Sequence, residues 1–328
     1  VLNHRSIACG AALGLTSILA TTGSALGAPA DAGLVHQGLE GETLDWPMGE
    51  LEFVGIKSDF LSNMTKDRTS VYDEIIRVPS AGWIRLYFGE IELDKGSVVR
   101  VTSLFDDEVQ VLDEGTLALW NDTTAYFNGN GVRVQVIADP GSIGNSIEIE
   151  YLAFQDVATI DRGDGCGICG ADDRVSLDSD LFARMAPTGC SATIYNTDSC
   201  FVTAGHCLSG ASVLQFRVPA SDSNCYTNNP GVADQFPITG SDGYAGDVGD
   251  DYGAMKSGTN SSGQTAYERY GVYLAPASSV PGSGTASVSG YGVDDNCVDS
   301  QTLQTHSGPL NGTSGTSLYF DIDGTYGN

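Results

Sequence analysis

The sequence is poor in positive charge: 15 Lys+Arg stand against 42 Asp+Glu, for a formal net charge of -27. Phosphate backbones and anionic membrane surfaces repel such a chain, so nucleic acid and acidic bilayers are excluded as partners. The acidity suits solubility in an extracellular or saline medium. Long apolar stretches with a period of 3.6 are also missing, which argues against a helical class. Short alternating runs of Val, Ile, Tyr and Phe are instead separated by turn residues, with 42 Gly in the chain, and the class expected is all-β.

Two further absences concern chemistry. Residues 31–160 hold no cluster of His, Cys or paired carboxylates, so no reaction is expected there. Cys166-x-x-Cys169 has neither the strand and helix of a thioredoxin-like motif nor the second ligand pair that zinc requires. Both cysteines are therefore assigned to structural disulfides. Asp242, Asp247 and Asp250 lack the alternating ligand spacing of a calcium loop. No metal and no cofactor are expected.

A chain of 328 residues is long enough for two domains with separate cores. Residues 1–28 have a basic start at Arg5, an apolar and small stretch from Ile7 to Leu26, and small residues at Ser24-Ala25-Leu26-Gly27-Ala28. That is the pattern of an export signal, after whose removal no membrane association is expected. Eight cysteines, Cys9 within the signal and the others after it, fit an oxidising compartment and a secreted protein. The odd number after the signal leaves one thiol free or paired beyond the sequence. The chain starts at Val1 rather than Met, as expected of a fragment.

Within 31–160 the stretch from Asp31 to Ser70 is expected to be irregular. Strands are then predicted at Glu74 to Val78, Trp83 to Phe88, Ser97 to Thr102, Glu108 to Leu112, Val132 to Ile137 and Ile147 to Phe154, between Gly, Asp, Asn and Pro clusters. The strand period places Ile84, Leu86 and Phe88 on one face and Trp83, Arg85 and Tyr87 on the other, suiting an antiparallel β-sandwich strand buried chiefly on one side. Residues 161–173, Gly- and Asp-rich, are expected to be a linker, with a second domain over 174–328.

The strongest chemical signal is Gly189 to Cys207, GCSATIYNTDSCFVTAGHC. A strand from Ser191 to Tyr195 turns through Asn196-Thr197-Asp198 into Phe201 to Thr203, which delivers His206 at its end. Cys190 and Cys207 stand where a bridge would pin both strands around the imidazole. A general base needs that rigidity, because it must stay within about 3 Å of the hydroxyl it deprotonates.

Residue types, order and flanking cysteines here resemble the chymotrypsin-like serine endopeptidases. The resemblance implies a catalytic carboxylate several dozen residues after the histidine, at the start of a strand. Gly249-Asp250-Asp251-Tyr252-Gly253-Ala254-Met255-Lys256 fits it, with Asp251 as the triad residue and Asp250 as the alternative. Val288 to Gly292 is similar to the Gly-aromatic-Gly turn that opens the second barrel's catalytic-side loop. His306, in QTHSGP, is expected to be a polar strand residue near the cleft. Gly170 to Val175 is similar to the opening of mature glutamyl endopeptidases, and Ser317 to Asn328 is similar to the segment that in that group runs into Gly-Asn-Ser-Gly-Ser-Pro. Gly327 and Asn328 match the first two letters, so the resemblance places the nucleophile at position 329 and gives Gly327 one oxyanion N–H.

Ser314, in Gly312-Thr313-Ser314-Gly315, is the rival nucleophile within the chain, or a plain turn residue. Asp323 falls where a carboxylate selects Arg or Lys in trypsin-like members. Cys297 or a fellow cysteine is expected to lack its partner. The run WIRLYFGEIEL, DKGSVVRV, LALWNDTTAYF and GNGVRVQVIADPG resembles the β-sandwich leader of secreted lysyl-endopeptidase-like proteases, which implies a pro-segment or an accessory module. The whole is expected to be an N-terminal β-sandwich followed by a chymotrypsin-like double β-barrel, incomplete at its C-terminus. The implied function is that of a secreted, monomeric serine endopeptidase acting on protein or peptide substrates. The alternative is a secreted β-sandwich binding protein with a degenerate protease-like domain.

Overall fold

A computed structural model describes residues 49–156, 167–168 and 170–327. The expected export signal, Cys166, Cys169, Asn328 and most of the expected linker lie outside the described residues. The class is all-β. Strands β1 (Glu50–Lys57), β2 (Thr69–Arg77), β3 (Ala81–Glu92), β4 (Val98–Ser103), β5 (Val109–Leu112), β6 (Phe127–Asn128), β7 (Gly131–Ala138) and β8 (Ser146–Asp156) form two antiparallel sheets, ordered β1-β8-β3-β6 and β2-β7-β4-β5. The period-two pattern sends Ile84, Leu86, Val99, Val101, Val132, Val134, Val136 and Ile149 into the layer between them, where all are buried.

Two elements escaped the sequence pattern. Glu50–Lys57 was expected to be irregular because its alternation is weak, yet it pairs with β8 from Glu50↔Phe154 to Lys57↔Glu148 and forms the sheet edge. The segment after β5 holds a short helix, α1 (Glu114–Leu119), started by an Asp113 side chain that accepts from the Thr116 N–H in a capping box. A third difference lies in β3. Trp83 and Arg85 are as buried as Ile84 and Leu86, so this strand is covered on both faces over its first half. The second cover comes from the following barrel: Ala186, Val213 and Val232 belong to the same apolar cluster as Trp83, Tyr126 and Leu117.

After β9 (Val175–Ser176), the strands β10 (Phe182–Ala186), β11 (Cys190–Ile194), β12 (Cys200–Thr203), β13 (Val213–Gln215), β14 (Gln235–Tyr244) and β15 (Tyr252–Ser257) close a six-stranded barrel in the order β10-β11-β12-β15-β14-β13. Its core is built on Phe201, Phe216 and Phe236, with Phe216 edge-on to both of the others at centroid distances of 5.9 and 5.6 Å. Helix α2 (Ala266–Tyr270), capped by Thr265, packs Tyr270 against Phe216. Strands β16 (Gly284–Gly290), β17 (Gln304–Ser314) and β18 (Ser317–Phe320) then form an open sheet that β9 joins along β17. The all-β class expected from the sequence is met by one closed barrel followed by an open sheet.

Cys297 has a partner within the chain, so it is not the cysteine expected to lack one. It is bridged to Cys225 with a Cα–Cα separation of 4.4 Å, tying the loop after β13 to the segment before β17. Cys200 is disulfide-bonded too. Because the Cys225–Cys297 bridge closes a span of 72 residues, the double change Cys225→Ser, Cys297→Ser is expected to lower the unfolding free energy by about 2–4 kcal/mol in urea titrations. An unchanged midpoint would mean that the cross-link constrains little.

Candidate active site

The antiparallel register of β12 on β15 assembles the site. Thr203 pairs with Gly253 and Val202 with Ala254, so the residues just after β12 lie beside those just before β15. Gly253 is paired on both sides within the barrel, and a Cβ there would stand 2.9 Å from Leu208 Cδ1. Gly205 is more constrained still. Its Cβ would come within 2.1 Å of Tyr244 O and 2.8 Å of Tyr252 O, so the chain can cross β14 and β15 only where a side chain is absent. The Thr-Ala-Gly frame before His206 thus has a steric reason in its third residue.

From this crossing the chain enters a 3-10 turn, Gly205–Leu208, which carries His206. Asp251 holds it twice: Oδ1 accepts from the His206 backbone N–H at 2.9 Å, and Oδ2 lies 2.5 Å from the ring Nδ1. An ionised carboxylate is only an acceptor, so Nδ1 carries the proton and Nε2 keeps a lone pair. Burial by itself would raise the Asp251 carboxyl. Hydrogen bonds from the His206 ring and from the backbone N–H groups of His206 and Gly205 outweigh it and hold the carboxyl below the usual range. Asp250 does not reach the ring; it is exposed, and its N–H donates to Asp247 O. The bridge Cys190–Cys207, Cα–Cα 6.0 Å, joins β11 to the turn that carries the imidazole.

His206 is half exposed, its side chain 48% accessible, on the wall of a cavity of about 220 Å³. Ser191, Thr203, the bridge, Thr325, Tyr326 and Gly327 line it as well. Gly327 sits at φ +98°, with the Tyr291 and Gly189 carbonyls where a Cβ would go, at 2.5 and 2.6 Å. Ser191 Oγ donates to Gly327 O and accepts from the Tyr291 N–H at 2.7 Å. The buried Gln301 side chain donates to Gly189 O and Tyr291 O at 3.2 and 2.8 Å. Ser191, Tyr291 and Gln301 were not singled out for these bonds from the sequence, and no local motif marks them.

The remaining candidates take other places. Ser314 pairs with Ser317 across the tight Gly315-Thr316 turn between β17 and β18, and it does not line the His206 cavity. Asp323 does not line it either. Its carboxylate is buried, accepts from the Asp173 N–H at 2.9 Å and lies 3.3 Å from His306 Nδ1, while the same Nδ1 accepts from the Asp323 N–H at 2.8 Å. Arg174 adds a second fastening: it pairs with Asp172 at 2.6 Å and Asp294 at 3.0 Å and donates to Thr325 Oγ1 at 2.7 Å. The Asp-Asp-Arg segment therefore clamps residues 323–325 just ahead of the cavity wall.

Among the described residues, two groups have donor atoms close enough for a metal, Cys190/His206/Cys207 and Asp173/His306/Asp323. The sulfurs of the first are consumed in the bridge, and in the second His306 Nδ1 and Asp323 Oδ2 already accept backbone N–H bonds.

No family model and no curated protein matches the sequence. Among solved structures, a thermostable serine protease, AL20, from an extremophilic microorganism is similar over 42% of this chain and 74% of its own, at 21% identity and a TM-score of 0.30. The protease Anisep from Arthrobacter nicotinovorans is similar over 45% of this chain and 78% of its own, at 16% identity and a TM-score of 0.28.

Two outcomes follow from the site geometry. A carboxyl depressed on folding contributes stability that is present above its unfolded value, near about pH 4, and is lost as pH falls through the lower folded value. Asp251→Asn is expected to destabilise the chain at pH 7, with the gap to the parent closing below about pH 4 in urea unfolding; a gap independent of pH would remove the ionised carboxylate and its hydrogen bonds as the cause. Gly205→Ala, which drives a methyl into two strand carbonyls, is expected to cost about 1–3 kcal/mol by the same measurement.

Proposed function

We propose that the protein is a secreted serine endopeptidase. The observation that carries this reading is a His206 ring held by Asp251 and lining the same cavity as Gly327. His206 Nε2 is the general base, Asp251 holds the ring in the tautomer that frees Nε2, and the Gly327 N–H contributes to the oxyanion site. The nucleophile is a serine at position 329, directly after Asn328; support for this placement comes from Gly327 lining the base's own cavity. Its hydroxyl oxygen bonds to the scissile carbonyl carbon as His206 takes the proton. The C–N bond then breaks, the amine leaves with that proton, and water hydrolyses the acyl ester with His206 again as base.

Protein and peptide chains are the substrate class. Asp323 is assigned to the clamp with His306 and Asp173 rather than to selection of Arg or Lys. Oxidised cysteines at 190, 207, 225 and 297 suit an extracellular setting, and among the described residues no helix is long and apolar enough to cross a membrane.

The test compares two proteins with a fluorophosphonate probe and a casein substrate. The 328-residue chain is expected to take no label and show no turnover, while a chain continued through a serine at 329 and its natural following residues does both. In that longer protein Asp251→Asn is expected to lower kcat by about 10⁴. Labelling of Ser314, or a natural residue other than serine at 329, overturns the assignment.

A further inference from the structure

The sandwich and the barrel meet through side-chain amides that each read the other's backbone. Gln235, on the barrel, accepts from the Tyr126 N–H through Oε1 at 2.9 Å and donates to Tyr126 O through Nε2 at 2.8 Å. Asn128, on the sandwich, reciprocates: Nδ2 donates to Asn229 O at 2.9 Å and Oδ1 accepts from the Asn229 N–H at 2.8 Å. Each carboxamide therefore completes a backbone N–H and C=O pair as a strand neighbour would. Gln155 Oε1 accepts from the Thr227 N–H at 3.1 Å, and Glu108 Oε2 from the Val232 N–H at 3.1 Å. Arg85, buried in the sandwich beneath the Tyr126 ring at 4.9 Å, reaches across to Ser212 Oγ at 2.6 Å.

Around these bonds the contact is dry. Gln155, Thr227, Asn229 and Gln235 are buried, and Ala186, Val213 and Val232 of the barrel lie in the sandwich's apolar cluster. Separating the two bodies would trade these bonds for bonds to water, at a net cost of about 0.5–1.5 kcal/mol for each neutral one, and would expose the shared apolar cluster. Among the described residues, none that lines the His206 cavity comes from the sandwich.

We infer that the β-sandwich is a retained docking partner of the first barrel, which stays bound when the chain between them is cut and leaves the His206 cavity open. This inference does not depend on the proposed catalytic role. It chooses the accessory module over the removed, cavity-blocking pro-segment.

The test inserts a site for a specific protease between Val157 and Asp161 of the full chain, cuts there, and follows the product by size-exclusion chromatography without denaturant. Co-elution of both pieces at the volume of the uncut chain, persisting on dilution to submicromolar concentration, is the expected result. Two separate peaks overturn the inference. Asn128→Asp and Gln235→Glu keep the shape but turn each donor into an oxygen facing a carbonyl. Each is expected to weaken association of the cut pieces by roughly 10- to 100-fold, read from the dilution series. Circular dichroism of the uncut variants, expected to match the parent, shows that folding is intact; unweakened association in folded variants overturns the role given to the amides.

Discussion

The site depends first on the pairing of β12 with β15. Thr203↔Gly253 fixes where each chain leaves the barrel, and the two exits deliver His206 and Asp251 to one another from positions 45 apart in sequence. The steric bar at Gly205 makes this register unforgiving, because a slip of one residue would place a side chain against the Tyr244 and Tyr252 carbonyls. Asp251 binds both the backbone and the ring of His206, so the carboxylate orients the turn as well as the imidazole. Geometry of this kind resists rotation of the ring more than a single hydrogen bond would.

The segment ahead of and including Gly327, which also lines the cavity, is held by different means. Residues 323–327 form no strand, and their positions come from fastenings along their length: His306 and Asp173 on Asp323, Arg174 on Thr325, and Ser191 on Gly327. The segment that ends in Gly327 is therefore placed by residues from β11, from β17 and from the Asp-Asp-Arg stretch ahead of the barrel. Ser191, which follows Cys190 of the bridge, touches both Gly327 and Tyr291 and so links this segment to β11. Local order at His206 and at Gly327 is thereby tied to a single strand.

What the sequence could show was whatever is local. Alternation in WIRLYFGEIEL marked β3, and TAGHC marked the histidine at a strand end, because both are written in adjacent residues. The partnership of Cys225 with Cys297 spans 72 residues and has no local mark. Neither has β1, whose pairing with β8 depends on a strand about a hundred residues away. The same limit explains β3: period two correctly alternated its side chains, but it could not show that a second body covers Trp83 and Arg85. Ser191, Gln301, Asn128 and Gln235 carry their roles only through distant backbone, so their neighbours in sequence do not distinguish them from other polar strand and loop residues.

Arg85 and Arg184 sharpen the view of how the two bodies are joined. Both guanidiniums are buried near the contact. Arg184 donates to neutral acceptors: Gln215 Oε1 at 2.6 Å, Asn229 Oδ1 at 3.1 Å and the carbonyls of Asn228 and Gln301. Burial pushes it down to about 10, which still leaves it charged at neutral pH. Carrying a cation on neutral dipoles costs desolvation that apolar residues of the same size would avoid, so the arrangement is poorly explained by stability alone. What it does provide is geometry: a planar fork can meet Gln215, Asn228 and Asn229 together only when β10, β13 and the following loop hold one mutual position. Asn229 is also the residue whose backbone Asn128 reads from the sandwich. The buried cation thus presets, from inside the barrel, the loop onto which the sandwich closes.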